Sequence, residues 1–134
     1  MNIDGIKADI QEKEKQMKAI KADALKQYKL LFQEASVQLF ESQPDLQSFS
    51  WTQYTPYWND GDVCTFGANI EDPGINGSDP YDDDVDQKLS VAVFEFLSAF
   101  SEESLEDMFG DHCEITVKRT NGKPNVTVDE YEHD

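Results

Sequence analysis

The sequence predicts an α+β domain whose elements follow the order α-β-β-α-α-β-β. Three observations predict this class: an unbroken helical pattern over the N-terminal third, two β-rich segments that each surround a turn signal, and two shorter helical patterns between them. With 134 residues, the chain has the length of one domain, 1–134. We expect residues 1–42 to form a partly projecting helix and residues 43–134 to form an acidic α+β body. Two antiparallel hairpins should make one sheet that the helices cover on one face.

Residues 3–42 are predicted to form one long helix, because no Gly or Pro occurs between Gly5 and Pro44. Such a helix would measure roughly 57 Å, which exceeds the width of a domain of this mass. From Ile20 onward the apolar stripe drifts as a 3.6-residue period requires. Its later members are Ala24, Tyr28, Leu31, Ala35 and Leu39. We therefore expect residues 20–42 to pack on the body, while residues 3–19 project, fray or pair with another chain.

A heptad row runs along the same helix. Its members, seven residues apart, are Ile3, Ile10, Met17, Ala24 and Leu31. Ile6 and Ile20 fill alternate d positions, whereas Lys13 and Gln27 interrupt that row. Residues 3–31 carry seven Lys against five acids, so strong like-charge repulsion is absent there. The pattern predicts oligomerisation through the heptad row, as in a homodimer. The alternative is a solvated helix held by i,i+4 ion pairs such as Glu14–Lys18.

The first hairpin is predicted from residues 48–58 and the turn signal Asn59-Asp60-Gly61-Asp62. A two-residue loop at Asp60-Gly61 would pair Trp58 with Val63, Tyr57 with Cys64, Thr55 with Phe66 and Trp51 with Ile70. The inner face would then consist of Trp51, Tyr57, Cys64, Phe66, Ala68 and Ile70. The other face would carry Thr52, Tyr54, Trp58, Val63, Thr65 and Asn69. Since this second face carries the aromatic residues Tyr54 and Trp58, it is a candidate contact surface.

The middle of the chain is predicted to be a loop followed by two helices. Residues 71–86 contain two Pro, two Gly and seven acids, which exclude a regular element. Residues 86–100 then show one broad apolar stripe, made of Leu89, Ala92, Val93, Phe96, Leu97 and Phe100. Ser101 is the expected N-cap of a short acidic helix over 102–108, and Gly110 is its expected stop.

The second hairpin is predicted to join residues 112–119 and 124–131 around Asn121-Gly122. The alternation places Val117 opposite Val126 and Ile115 opposite Val128 on the inner face. Thr116 faces Thr127 and Glu114 faces Asp129 on the outer face.

Metal sites are poorly matched. Asp72, Asn76, Gly77 and Asp83 fall at positions 1, 5, 6 and 12 of an EF-hand loop, but Gly74 at position 3 supplies no ligand. We expect calcium to bind around Asp72, Asn76 and Asp79 only at millimolar level. Cys64, His112, Cys113 and His133 lack the close pairing of structural zinc ligands. We therefore predict no metal and no cofactor.

Catalytic patterns are equally weak. No Ser or Cys lies in a Gly-flanked nucleophile elbow. His112 and Cys113 cannot act as a dyad, because adjacent strand residues point to opposite faces. We therefore expect a protein that is not an enzyme.

Charge is the strongest functional signal. The chain has 28 acidic and 11 basic residues, a net charge of -17, and the excess lies entirely in residues 42–134. Three clusters hold most of it: Glu71, Asp72, Asp79, Asp82, Asp83, Asp84 and Asp86; Glu102, Glu103, Glu106, Asp107, Asp111 and Glu114; and Asp129, Glu130, Glu132 and Asp134. This sign argues against direct binding to nucleic acid and disfavours anionic membranes. Two interpretations of the acidic surface remain: it serves solubility alone, or its carboxylates take the place of nucleic-acid phosphates in a protein complex.

The segment Ser50-Trp51-Thr52-Gln53-Tyr54-Thr55-Pro56-Tyr57-Trp58-Asn59-Asp60-Gly61-Asp62 resembles a segment of uncharacterised phage and bacterial proteins. In size and charge, the chain also resembles phage-encoded nucleic-acid mimics that inhibit host defence nucleases, and small immunity proteins that neutralise nuclease toxins. These resemblances imply a phage anti-defence or immunity-type role.

Charge and resemblance together predict a non-enzymatic inhibitor whose acidic surface mimics nucleic acid and blocks a basic nucleic-acid-binding protein. The predicted partner-binding residues are Glu71, Asp72, Asp79, Asp82, Asp83, Asp84, Asp86, Glu102, Glu103, Glu106, Asp107, Tyr54 and Trp58. The alternative is a structural or cation-binding acidic module that acts through helix-mediated oligomerisation. Because no run approaches the roughly 20 apolar residues of a membrane span and residues 1–5 do not resemble a signal peptide, we expect a cytoplasmic protein, in the host cytoplasm if phage-encoded.

Overall fold

The computed structural model describes residues 3–57, 61, 63–80, 82 and 84–132. Its elements are α1 (Ile3–Ser42), β1 (Ser48–Tyr54), β2 (Gly67–Ile75), α2 (Gln87–Leu97), α3 (Glu102–Phe109), β3 (Cys113–Lys118) and β4 (Asn125–Glu130). The four strands form one antiparallel sheet in the order β2-β1-β3-β4. The predicted α+β class and element order are therefore confirmed.

The second hairpin has the predicted register. Val117 pairs with Val126, Ile115 with Val128, Thr116 with Thr127 and Glu114 with Asp129. The two hairpins join through β1 and β3, whose register runs from Ser48↔Lys118 to Gln53↔Cys113. Their odd-numbered side chains, Phe49, Trp51, Cys113, Ile115 and Val117, are all buried in the core that the helices cover.

The first hairpin follows the predicted register only at the end next to its connecting loop. Tyr54 pairs with Gly67 and Thr52 with Asn69, but the register then shifts between Ser50 and Thr52. Trp51 therefore does not pair with Ile70 as expected. Thr55, Tyr57, Cys64 and Phe66 lie outside the strands, so their two predicted pairings are wrong. The pairing of Trp58 with Val63 lies outside the described residues.

Residues 71–75 belong to β2, so the predicted loop over 71–86 is wrong at its beginning. Pro73 is tolerated because β2 is an edge strand and the register is irregular at this point. Gly74 is required by close packing, since a Cβ there would collide with the Ser50 hydroxyl and the Ser78 carbonyl. In this segment, contacts with neighbouring parts of the same chain, and not local backbone propensity, determine the conformation.

Helix α1 packs with a different face from the one predicted. Its buried residues are Phe32, Ser36, Leu39 and Phe40, and Leu25 is half-buried. Tyr28 and Leu31, expected in the packed stripe, are 44% and 55% exposed. Residues 3–24, which we call the stem, are exposed throughout. Packing on the body was expected from Ile20, but it begins at Leu25.

The core is largely aromatic where α1 meets the sheet. The Phe32 ring lies 5.2–6.1 Å from the rings of Trp51, Phe96, Phe100 and Phe109. Offset and edge-on rings at these centroid separations are favourable beyond their apolar burial. The stripe predicted for α2 lines this core, with Leu89, Val93 and Leu97 fully buried. One buried aromatic residue thus joins α1 to α2, α3 and the sheet.

Arg119 fixes the end of α1. Its guanidinium donates to the carbonyl oxygens of Phe40 (2.6 Å), Gln43 (2.9 Å) and Leu46 (2.9 Å). It also lies 4.9 Å from the centre of the Phe40 ring. A cation at a helix C-terminus satisfies unpaired carbonyls and favours the helix dipole. The only arginine of the chain therefore has a structural role, since its guanidinium binds backbone carbonyl groups.

Candidate protein-binding surface

Helix α3 carries four carboxylates within six residues. Ser101 begins the helix, since its hydroxyl accepts from the Ser104 N–H at 3.1 Å. Gly110 ends it with φ at +97°, a conformation that residues with a Cβ rarely adopt. Leu105 and Met108 are buried, which fixes the rotation of the helix about its axis. Both predicted caps are thus confirmed, and they determine which α3 residues face outward.

Four acidic residues occupy the outward side of α3, and we call them the acidic arc: Glu102, Glu103, Glu106 and Asp107. They span an arc of about 140° at the helical rotation of about 100° per residue. Their axial extent is about 7.5 Å, so the arc presents roughly one negative charge per 2 Å of axis. Glu106 is half-buried and the other three are exposed.

A groove lies between the edge of β2 and the two short helices, and we call it the β2 groove. Its volume is about 410 Å³, and its walls include Ala68, Ile70, Glu71, Phe94, Phe100 and Glu102. The Glu102 carboxylate accepts from the Ala68 backbone N–H at 3.3 Å, so it covers part of the open strand edge. The groove therefore brings together Glu71 and Glu102, which belong to different acidic clusters in the sequence.

Phe94 and Val91 add an apolar surface on α2 that the sequence analysis missed. They are 37% and 52% exposed, respectively, and Phe94 lines the β2 groove. The available signal was their position outside the apolar stripe of α2. Protein interfaces commonly combine an apolar centre with a charged rim. The β2 groove and the acidic arc together have that composition.

The negative charges in this region lack cationic partners. Within the described ranges, the one contact under 4 Å between a basic and an acidic side chain is His112 Nε2 to Asp111 Oδ1, at 3.8 Å. The alternative of a stem held by pairs such as Glu14–Lys18 is therefore wrong. Helix α1 instead has amide-to-carboxylate hydrogen bonds, from Gln16 to Glu12 and from Gln27 to Asp23.

The predicted cluster over 71–86 is divided by the structure. Asp86 caps α2, accepting from the N–H groups of Lys88 (2.9 Å) and Leu89 (3.3 Å). Asp82 accepts from the Asp84 N–H at 2.9 Å, next to that helix start. Asp72 and Asp79 are exposed, and Asp83 lies outside the described residues. Of this cluster, Glu71 lines the β2 groove.

Tyr54, one of the two predicted aromatic contacts, does not join this surface. Tyr54 alternates with Trp51 and Gln53 along β1, so it lies on the sheet face opposite the helices. Its ring is 5.8 Å from that of Tyr131. Trp58 lies outside the described residues. A role for Tyr54 in binding therefore stays a prediction for a separate, open sheet face.

Among the described residues, Asp111 and Cys113 are the titratable groups whose pKa values depart from the ordinary ones. Partial burial acts to raise the pKa of Asp111, but hydrogen bonds from the Thr55 hydroxyl and from the N–H groups of His112 and Thr55 outweigh it, so this pKa lies below its usual value. Burial, followed by the charge of Asp111, raises the pKa of the Cys113 thiol. A raised pKa keeps the thiol protonated, which makes it a poor nucleophile.

The side chains considered above as metal ligands do not form a metal site among the described residues. Asn76 accepts from the N–H groups of Gln47 (2.6 Å) and Ser48 (3.2 Å) and donates to the Asp45 carbonyl (3.0 Å). Its amide therefore holds the start of β1 and does not face a cation. Cys64 and Cys113 are free thiols. Among the described residues, no three His, Cys, Asp or Glu side chains are grouped as metal ligands.

No family model, curated protein or solved structure matches this chain. The resemblance of residues 50–62, and that of overall size and charge, therefore stays a prediction. In the part of the chain that the structure describes, no helix has the length and apolar character to cross a membrane.

Proposed function

We propose that this protein is a non-enzymatic inhibitor that binds a basic nucleic-acid-binding protein through the acidic arc and the β2 groove. The observation that carries the proposal is the spacing of the arc: about one charge per 2 Å of helix axis. B-DNA carries about one charge per 1.7 Å of its axis. A basic channel can therefore meet a similar linear charge density on α3.

Rigidity supports this proposal. The arc lies on a helix capped at both ends and anchored by Leu105, which is 0% exposed. Glu102 is further held by its hydrogen bond to Ala68. Charges that are fixed before binding incur a smaller ordering penalty than charges on a flexible tail.

The unpaired state of the carboxylates supports it as well. A basic partner gains Coulomb energy with these groups without first breaking an ion pair inside the inhibitor. Such attraction raises the association rate and makes it sensitive to salt. The exposed Phe94 ring beside the groove supplies the apolar contact that a purely electrostatic complex lacks.

The test uses bacterial proteins retained on double-stranded DNA–cellulose. At low ionic strength, the wild-type protein should elute a subset of them by competition. The arc variant carries Glu102→Gln, Glu103→Gln, Glu106→Gln and Asp107→Asn, and it should lose this ability. The eluted proteins should then bind the wild-type protein directly, with an association rate that falls as salt is added.

The matched control carries Asp4→Asn, Asp9→Asn, Glu12→Gln and Glu34→Gln, which removes the same charge from exposed positions of α1. It should elute the same proteins as the wild type. Equal loss in both variants would show that only net charge matters, and no elution by the wild-type protein would rule out nucleic-acid mimicry.

A further inference from the structure

The heptad row of α1 remains free after the body has packed. Ile3, Ile10, Met17 and Leu31 are between 51% and 67% exposed. At about 100° per residue, the row is centred about 85° around the helix axis from the buried face of Phe32, Ser36, Leu39 and Phe40. Folding of one copy therefore leaves an apolar seam of four heptads without cover.

We propose that a second copy of this chain covers the seam as an antiparallel helix pair. In this pair Met17 lies opposite Ile20 of the second copy, and Leu31 lies opposite Ile6. Each of these layers occurs twice because a two-fold axis relates the copies. Lys13 then faces the small side chain of Ala24, past which its ammonium reaches water.

Charge selects the antiparallel arrangement over the parallel one. A parallel pair would place Lys13 against Lys13 in the seam, and Asp9 against Glu14 at its flank. The antiparallel register above instead places Glu14 beside Lys21 of the second copy, and this pair occurs twice. Sliding the register by one heptad toward the N-terminus would oppose Glu14 with Glu14 and Lys7 with Lys21.

A groove on the body supports the same register. Between α1 and α3 lies a groove of about 370 Å³, lined by residues that include Tyr28, Glu103 and Asp107. The register brings Lys7 of the second copy beside Tyr28. The ammonium of Lys7 then reaches the side of the groove that carries the two acids, so the stem of one copy is attracted to the acidic body of the other.

The first experiment measures mass by sedimentation equilibrium between about 1 and 100 µM. The full chain should give twice 15.3 kDa. Ile20→Asp should return it to monomer, because the central layers then contain buried charge. Ala19→Asp adds the same charge on the opposite side of the exposed helix and should leave the dimer intact. A wild-type monomer throughout this range overturns the proposal.

The second experiment determines orientation by charge reversal. Glu14→Lys places two like-charge contacts in the antiparallel pair and should weaken it about tenfold. The double variant Glu14→Lys, Lys21→Glu should restore the wild-type dissociation constant. In a parallel pair Glu14→Lys relieves repulsion from Asp9, so a tighter dimer overturns the arrangement. Rescue of Glu14→Lys by Lys7→Glu, but not by Lys21→Glu, overturns the register.

Discussion

The two halves of α1 form one continuous helix, yet their apolar residues have opposite surroundings. In the stem, Ile3 and Met17 are 67% and 58% exposed, whereas farther along Phe32 and Phe40 are 2% and 4% exposed. Helix α1 carries seven of the ten lysines, and the body carries the whole charge excess. Periodicity thus defines a helix over its full length, but only contact with the body determines which part stabilises the fold.

Phe32→Ala should produce the largest effect and is the sharpest test of this difference. The change removes a ring that touches four other aromatic residues, so we expect a loss of about 3–5 kcal/mol in the free energy of unfolding. Leu30→Ala, two residues away and 53% exposed, should change it by about 0.5 kcal/mol or less. Urea denaturation followed by circular dichroism measures both. Similar losses for the two variants would contradict the assignment of the buried face.

Asp111→Asn should lower the free energy of unfolding by an intermediate amount, and this amount should depend on pH. The folded-state pKa of Asp111 lies below the ordinary value of 3.8. Its carboxylate therefore stabilises the fold above that value, and this stability is lost as the pH falls through the folded-state pKa. Because the side chain is 34% exposed, we expect a loss of about 1 kcal/mol at pH 7.

The measurement is urea denaturation of wild type and Asp111→Asn from pH 7 to pH 2.5. The difference between the two proteins should shrink in the acidic part of this range. A difference that stays constant down to pH 2.5 would show that the amide disrupts packing and that the charge has no role.

Glu114→Gln should have the smallest effect, and it should be stabilising. Glu114 lies directly opposite Asp129 on the open sheet face, and like charges in this position repel. We expect a gain of about 0.5 kcal/mol, detected as a higher melting temperature at low salt. The gain should decrease in 1 M salt, where the Debye length is about 3 Å. Exposed Glu132→Gln is the control for net charge and should give a smaller gain.

The fold was predictable from sequence where the signal is local. The register of the second hairpin followed from Asn121-Gly122 and from alternation, and the α3 caps followed from Ser101 and Gly110. The extension of β2 through residue 75 was not predictable. Pro73 has no backbone N–H to donate, so it fits into a strand only where no partner strand needs that hydrogen bond, as at a sheet edge. Edge position depends on which strands pair, and the pairing of β1 with β3 joins residues that are 60 to 70 positions apart in the chain.

The candidate surface was predictable in part. Composition located the acidic residues, and the helical pattern of residues 102–108 placed four of them on one element. The sequence did not indicate that Glu71 and Glu102 share a groove, because they come from separate elements. Nor did it indicate that Phe94 would remain exposed, since exposure depends on how far β2 and α3 extend around α2.

The sequence by itself determined the order of elements, the second hairpin's register and the segregation of charge into residues 42–134. These properties arise from local backbone preferences and composition, which act between near neighbours. Only the tertiary structure decided the face that α1 buries, the course of β2 and the meeting of the acidic clusters. These depend on side-chain packing between segments far apart in the chain, and a near-continuous apolar stripe such as that of α1 is compatible with more than one packed face.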